Sequence, residues 1–370
     1  MNKYIYDKNF KIKISSNNLK EYIEGNIDLY KNVPNSEVKE EVYLEIGESR
    51  KNKLTEILKK NFYSISPKSH ITYENGFIAM FGDNTINFSK EDTIKITLNI
   101  DPSKSYRRKF MNMGYRDNLE HSATILHELA IVPSSFFFKD IAILHASSMY
   151  SIQSNRTVLI GGTGGVGKTS LELMLCISCD WSFIADDIAI IDKDSNVYPN
   201  FSYPKIYAYN IEGNKNLKEI ILSNSSIMSK VQWYALSTWK GKQRVRRSCS
   251  PVRLYGDVTS EKKQIDAYYI IHKTNKVKEI KFRQISSEMA MNLSLNVIEN
   301  EYQEVFKHIK WHEYNCILMG FNPILKYQDI INNMSANYLS VFKNIKCYIV
   351  EVPYDIEHSV FLNQMRSILV

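Results

Sequence analysis

The sequence predicts an α/β protein with mixed α+β sheets, divided into a mixed α+β domain over residues 1–138 and a second domain over residues 139–370. Three observations carry this expectation. Apolar and polar side chains alternate through Val42, Leu44 and Ile46 and again through Ile94, Ile96, Leu98 and Ile100, the two-residue period of half-buried strands. Asn75-Gly76 lies between Ile71-Thr72-Tyr73 and Phe77-Ile78-Ala79-Met80, a two-residue hairpin signal. From Asp140 the pattern changes to short apolar runs that lead into a glycine-rich loop and then a helix-compatible stretch.

The remaining elements follow in chain order. Asn118 to Ala130 reads as a helix, with Leu119, Ile125, Leu126 and Leu129 able to share a face, and the basic run Tyr106-Arg107-Arg108-Lys109 before it reads as a solvated turn. Ile141 to Leu144 and Arg156 to Ile160 read as strands, Thr169 to Ile177 as a helix, and Ser182 to Ala185 as a strand ending in Asp186-Asp187. Ile188 to Ile191 runs into the turn Asp192-Lys193-Asp194-Ser195-Asn196, which predicts a hairpin. Tyr268 to His272 and Cys347 to Val352 are further strands, and Ile356 to Leu369 a closing helix.

Composition bounds the function class. An apolar fraction of 44% suffices for a sizeable core, and a net charge of +7 suits an anionic ligand without indicating nucleic acid. No apolar run approaches the ~20 residues of a membrane helix, and Met1 to Lys8 lacks the apolar core of a secretory signal. The five cysteines are an odd number in a long chain and read as reduced thiols, so a cytoplasmic protein is expected. Cys176 and Cys179 form a C-x-x-C without a second pair to complete a zinc site, and His127-Glu128 has Ile131 where a zinc-protease helix needs its second histidine.

Gly162-Thr163-Gly164-Gly165-Val166-Gly167-Lys168-Thr169 fits G-x-x-x-x-G-K-[ST] at every fixed position, after an apolar strand and before an apolar helix. Glycines let successive N–H groups turn into one concavity, and the helix that opens near Lys168 and runs on through Ser170 adds its positive dipole end. Lys168 carries an ammonium to the terminal phosphates of a nucleotide, and Thr169 offers an oxygen to Mg²⁺. A carboxylate is then needed on a neighbouring strand. Asp186, 18 residues after Lys168, supplies it as a metal ligand, and Asp187 adds a second. Strict strand alternation would send the two side chains to opposite faces, so a bend at the strand end is needed to aim both at phosphates. One would then orient the metal while the other accepts a proton from an attacking hydroxyl. His145 ends the strand before the loop and is a third candidate.

This ensemble, His145, the loop Gly162 to Thr169 and Ile184-Ala185-Asp186-Asp187, resembles the catalytic domain of HPr kinase/phosphorylase, a P-loop fold related to the ATP-dependent phosphoenolpyruvate carboxykinases. The resemblance covers residues ~140–195. It implies that Lys168 contacts the transferred phosphoryl group, that Thr169 binds Mg²⁺, that Asp187 is the base that activates an acceptor serine and that His145 positions phosphate. It also implies an assisting arginine in a later loop, for which Arg253 has a fitting separation, with Arg246 or Arg247 as alternatives. The Met-Glu-Ile-Arg-Gly-type segment of the bifunctional enzymes is replaced by Tyr203 to Asn210, which lacks the metal-holding glutamate and leaves Glu212 as a substitute. Ser250-Pro251-Val252-Arg253-Leu254 only echoes their phosphorolysis loop. The chain therefore looks like a divergent, one-directional kinase, similar to those that phosphorylate precursor-peptide serines in ribosomal-peptide biosynthesis.

Lys240, Lys242, Arg244, Arg246, Arg247 and Arg253 fall within 14 residues that hold no acid, and are read as a clamp for phosphate or an acidic acceptor. The expectation is an ATP- or GTP-dependent, Mg²⁺-requiring kinase acting on a peptide or protein hydroxyl, a homo-oligomer with no membrane or nucleic-acid partner. Its alternatives are a nucleotide-gated regulatory module and a small-molecule kinase or carboxykinase-like enzyme.

Overall fold

A computed structural model describes residues 1–33, 39–48, 63–65, 67–101, 121–223 and 227–369. The basic run Tyr106 to Lys109 and the first residues of the expected Asn118 helix lie outside them. The described chain is a mixed α/β protein with mixed sheets, and its contacts divide it into two compact units. The first holds residues 1–101, 121–139 and 299–333, and the second residues 140–298 and 334–369.

The first unit is built on an eight-stranded sheet of β1 (Asn2–Ile5), β2 (Lys8–Ile14), β3 (Val42–Glu48), β4 (Tyr63–Ile65), β5 (His70–Tyr73), β6 (Gly76–Phe81), β7 (Asn84–Lys90) and β8 (Ile94–Ile100) in the order 1-2-3-8-7-6-5-4. β3 runs parallel to both β2 and β8, and the other pairs are antiparallel. The alternation read in the sequence becomes one buried face, with Val42, Leu44, Ile46, Ile96 and Leu98 fully buried. The expected hairpin forms between β5 and β6, but Tyr73 pairs with Gly76, so Glu74-Asn75 makes the turn and Gly76 opens the next strand. A Cβ there would lie 2.3 Å from the Phe88 carbonyl oxygen. Ser122–Leu126 is helical and passes through a π-helical turn at His127–Ile131. In it the His127 Nδ1–H donates to the Ala123 carbonyl at 2.7 Å and Nε2 accepts from the Tyr30 hydroxyl at 3.0 Å, an internal use of the histidine that began a zinc-like motif. Residues 299–333, which local pattern assigned to the second domain, group with this unit, where the helix Gln303–Met319 packs on β5.

The second unit holds β9 (Ile141–Leu144), β10 (Ala146–Ser151), β11 (Arg156–Gly161), β12 (Trp181–Ala185), β13 (Ala189–Asp192), β14 (Asn196–Tyr198), β15 (Lys205–Tyr207), β16 (Arg246–Ser248), β17 (Lys263–Gln264), β18 (Ala267–Thr274), β19 (Lys281–Gln284) and β20 (Lys346–Pro353). Six form a mixed sheet in the order 12-10-11-18-20-19, with the β11–β18 and β18–β20 pairs parallel. β17, β14, β13 and β9 form a second, antiparallel sheet, and β15 and β16 a separate hairpin-like pair. The turn after β13 is tied by the Asp192 carboxylate, which accepts from the backbone N–H of Asp194 and Asn196 at 2.9 Å. The helix Lys168–Ser178 packs on β10 and β12, and its Leu171 and Leu175 are fully buried, each contributing about 1.5–3 kcal/mol. No helix among the described residues is long and apolar enough to cross a membrane.

Candidate active site

The strand pairings explain why distant residues meet. The chain crosses from the antiparallel sheet to the mixed one at His145, between β9 and β10, and crosses back at Asp186-Asp187-Ile188, between β12 and β13. β9 pairs with β13 (Leu144 opposite Ala189), and β10 pairs with β12 (Ser148 opposite Ala185), so the two crossings lie side by side. β10 also pairs with β11, with Ala146 opposite Gly161. His145 and Gly162 therefore leave their strands next to one another, at the mouth of the glycine loop.

The loop has the backbone that an anion nest needs. Gly162, Gly165 and Gly167 have φ of 127°, 78° and 110°, a region L side chains rarely adopt. Space is closed as well: a Cβ on Gly162 would sit 2.6 Å from the Ile271 carbonyl oxygen, and one on Gly167 would meet the Phe361 ring at 2.8 Å. Gly167 caps the Lys168–Ser178 helix, so that helix's first N–H groups face the loop without a side-chain cap. Lys168 is buried, and its Nζ donates to His145 Nε2 at 2.9 Å and to the carbonyls of Gly162 and Thr163 at 3.0 and 3.1 Å. His145 accepts that bond as a neutral ring. Burial first, then the Lys168 charge, lowers its pKa to about 4 against the pull of Asp187.

The bend required at the strand end is present. Asp187 has φ 58°, and the Ile188 N–H donates back across it to the Asp186 carbonyl at 2.6 Å, closing a three-residue turn. Asn200 braces this corner, its Nδ2 donating to the Ile188 carbonyl at 2.8 Å and its backbone N–H to the Ile184 carbonyl at 3.0 Å. The two aspartates then differ sharply. Asp186 is buried, accepts from the Ser147 hydroxyl at 3.1 Å and has its pKa raised to about 6 by burial and by Asp187. Asp187 is half-exposed. Burial pushes its pKa up, but Lys205, His145, Lys168 and Arg246 together outweigh that and hold it below the ordinary carboxylate value. Lys205 Nζ stands 4.0 Å from its Oδ2.

Glu172, which sequence reasoning passed over, completes the inner side. It is fully buried on the loop helix, accepts from the Tyr255 hydroxyl and is pushed well above the carboxylate range by burial and then by Asp186. A protonated Glu172 is the natural donor to Asp186. Its only sequence signal is a lone carboxylate in an apolar helical run. Lys205 was also missed; it stands in the segment noted only for its absent glutamate. Ser170 is buried and accepts from Asn210 Nδ2 at 3.0 Å, which ties that segment to the loop helix.

The basic stretch is not a single patch. β16 alternation separates Arg246 from Arg247. Arg246 donates to the Tyr207 hydroxyl at 2.8 Å and acts on Asp187, whereas Arg247 is buried against Trp233 and donates to Gln232 at 3.1 Å. Arg253 is outside the cluster: it binds the Ile220 carbonyl and, at 2.6 Å, the Ser223 hydroxyl, at the end of the helix Lys215–Leu222. Lys242 pairs with Glu212, the substitute glutamate, at 2.5 Å, and Lys240 lies over the Trp239 ring. The structure thus brings together His145, the loop Gly162 to Thr169 with Ser170 behind it, Asp186, Asp187, Lys205 and Arg246, and leaves out Arg247, Arg253 and Glu212.

All five cysteines are free thiols, and no group of three His, Cys, Asp or Glu among the described residues is placed to hold a metal by itself. Mg²⁺ takes most of its ligands from phosphates and water and needs one or two protein oxygens. Half-buried Thr169 and Asp186 are the two on hand. No protein-family profile matches this chain, and no curated protein matches it.

Proposed function

We propose that the chain is an ATP- or GTP-dependent, Mg²⁺-requiring kinase of the HPr-kinase type, with a phosphoenolpyruvate-carboxykinase-like P-loop domain, that transfers a terminal phosphoryl group to a hydroxyl of a peptide or protein. The observation that carries this reading is the convergence of the Lys168 ammonium, the neutral His145 ring and the ionised Asp187 carboxylate at the mouth of a glycine loop. A switch or motor ATPase needs no half-exposed carboxylate flanked by lysine and arginine on the acceptor side.

The nest of Gly162 to Gly167 and the helix end would hold the nucleotide phosphates, and Thr169 and Asp186 would hold Mg²⁺, which would supply charge neutralisation. Lys168 exchanges its bonds to His145 and the loop carbonyls for phosphate oxygens. Asp187 orients an acceptor hydroxyl by accepting its hydrogen bond and takes its proton as the oxygen–phosphorus bond forms and the bond from the terminal phosphorus to its bridging oxygen breaks, which releases the nucleoside diphosphate. A carboxylate of low pKa is a weak base, but phosphoryl transfer through a loose transition state needs positioning more than basicity. Lys205 and Arg246 stabilise negative charge on the acceptor side. We read the chain as cytoplasmic and homo-oligomeric, without nucleic acid as a partner.

The test incubates the chain with γ-labelled ATP or GTP, Mg²⁺ and peptides encoded beside its gene, and locates the phosphate by mass spectrometry. Label on a peptide serine is the expected result. Tight nucleotide binding without transfer to any acceptor would replace the kinase with a nucleotide-gated module. Label on a metabolite alone would make it a small-molecule kinase.

A further inference from the structure

A groove of about 320 Å³ opens in the second unit directly after Asn210, the residue bonded to the loop helix. Ile211, Trp233 and Tyr234 give it an apolar floor, and Lys215, Lys218 and Lys242 a cationic rim. Lys218 stands 5.1 Å from the centre of the Tyr234 ring. Lys242 is paired with Glu212, but no carboxylate among the described residues pairs with Lys215 or Lys218. The helix Ile227–Lys240 carries the apolar surface outward: Ile227, Met228 and Val231 are 83%, 68% and 53% exposed, and Ile227, Val231 and Tyr234 fall at helical spacing on one side. A contiguous exposed apolar face rimmed by charge marks an interaction site.

We propose that this groove docks an acidic segment of the acceptor peptide that also carries aliphatic side chains, holding it while its hydroxyl residue reaches Asp187. The proposal rests on the kinase reading for the word acceptor, but not for the binding. Charge complementarity selects the occupant: unpaired lysines beside an apolar floor match carboxylates interleaved with Leu or Ile. A second copy of this chain would bring the same cationic rim against itself in a two-fold contact. RNA would find Ile, Met and Val where it needs stacking rings and a stripe of arginines, and Arg246, Arg247 and Arg253 are held elsewhere. Continuity adds to this. The groove starts at Ala208 and Ile211, while their neighbours Tyr207 and Asn210 hold Arg246 and Ser170 of the site.

The experiment uses the full chain with Mg²⁺ and a non-transferable ATP analogue. The probes are a fluorescein-labelled 14-residue peptide of Glu and Leu around one Ser, the same peptide with Lys for Glu, and a labelled oligouridine. Anisotropy is expected to give at least tenfold tighter binding of the Glu/Leu peptide than of the Lys/Leu peptide. The double variant Lys215→Glu/Lys218→Glu should remove at least tenfold of that affinity, with nucleotide affinity unchanged. The milder Lys215→Gln/Lys218→Gln pair, with an unchanged circular dichroism spectrum, guards against misfolding and should lose part of it. Equal binding of both peptides, no effect of either double variant, or tighter binding of the oligouridine would overturn the proposal. So would a dimer that Met228→Glu dissociates. Because the readout is binding, loss of acidic selectivity while phosphate still reaches a peptide sinks only the docking proposal. Selective binding with no transfer to any acceptor sinks only the kinase reading.

Discussion

Lys168→Ala is expected to lower phosphoryl transfer by on the order of 10³ and to weaken nucleotide binding, whereas Asp187→Asn is expected to lower transfer by on the order of 10² to 10⁴ and leave binding intact or tighter. The two losses differ because the two side chains act on different partners. The Lys168 ammonium is held at the loop by His145 and two carbonyls, and it is the buried cation nearest the phosphate nest. Its removal takes charge away from both the bound nucleotide and the transition state. Asparagine at 187 keeps the size of the side chain and is among the residues that tolerate a φ near 58°, so the corner survives. What disappears is a negative charge and, on the proposed reading, the atom that accepts the hydroxyl proton. Isothermal titration with nucleotide, run beside the transfer assay, separates the two patterns. Wild-type transfer by Asp187→Asn would remove Asp187 from its role.

Acidification is expected to unfold the first unit before the second, with stability falling steeply from pH 6.5 to about 4.5. Four histidines of that unit, His70, His127, His308 and His312, are buried and neutral. Burial lowers their pKa values to about 3, 4, 4 and 4, helped at His70 by His308 and His312, and at His308 by Lys307. The unfolded chain takes up these protons near pH 6.5 and the folded chain does not, so stability is full above that value and drains as pH falls toward the folded values. Each group contributes up to ~1.4 kcal/mol per pH unit. The packing explains the resistance to protonation. His70 Nδ1 faces His308 Nδ1 at 3.2 Å, so one ring must accept from the other, and a proton on each would set N–H against N–H. His312 Nε2 already accepts from the Ile324 N–H at 3.0 Å. In the second unit His145 acts in the same direction, but Asp186 and Glu172, with raised values, take up protons in the folded state and oppose it. Hydrogen exchange at pH 7 and pH 5 checks this: protection should collapse first in β5, β6 and the helix Gln303–Met319. Uniform loss across both units would contradict it.

What could be read in the sequence was local. The strand, glycine loop and helix at residues 156–178 announce themselves because the glycine spacing and the apolar flanks lie within two dozen positions. Asp186-Asp187 is a strand end that period-two counting finds, and the need for a bend follows from alternation alone. The pairings that decide which cations face Asp187 are long-range. β15 and β16 are three residues each and 39 positions apart at their nearest, so nothing local said that Lys205 and Arg246 would stand at the site while Arg253 tied down a helix end. Glu172 was hidden for the opposite reason: in an apolar helix a single carboxylate reads as an exposed position, and only tertiary packing shows it buried against Asp186. The helix Gln303–Met319 carries no signal of the unit it joins, because its apolar face fits either.

The corner at Asp187 places an L residue where glycine is at ease, at a cost of about 1 kcal/mol or more. Glycine there would relax the backbone and relieve the repulsion that raises the Asp186 pKa, so Asp187→Gly should melt higher while transferring nothing. The position is therefore a ratchet for the lineage of this chain. On the proposed kinase reading, a descendant freed from the need to phosphorylate would gain stability by losing this one carboxylate and would keep the glycine loop intact. Among relatives, a loop of this type followed by Asp-Gly rather than Asp-Asp would mark chains that still hold a nucleotide and have given up the reaction.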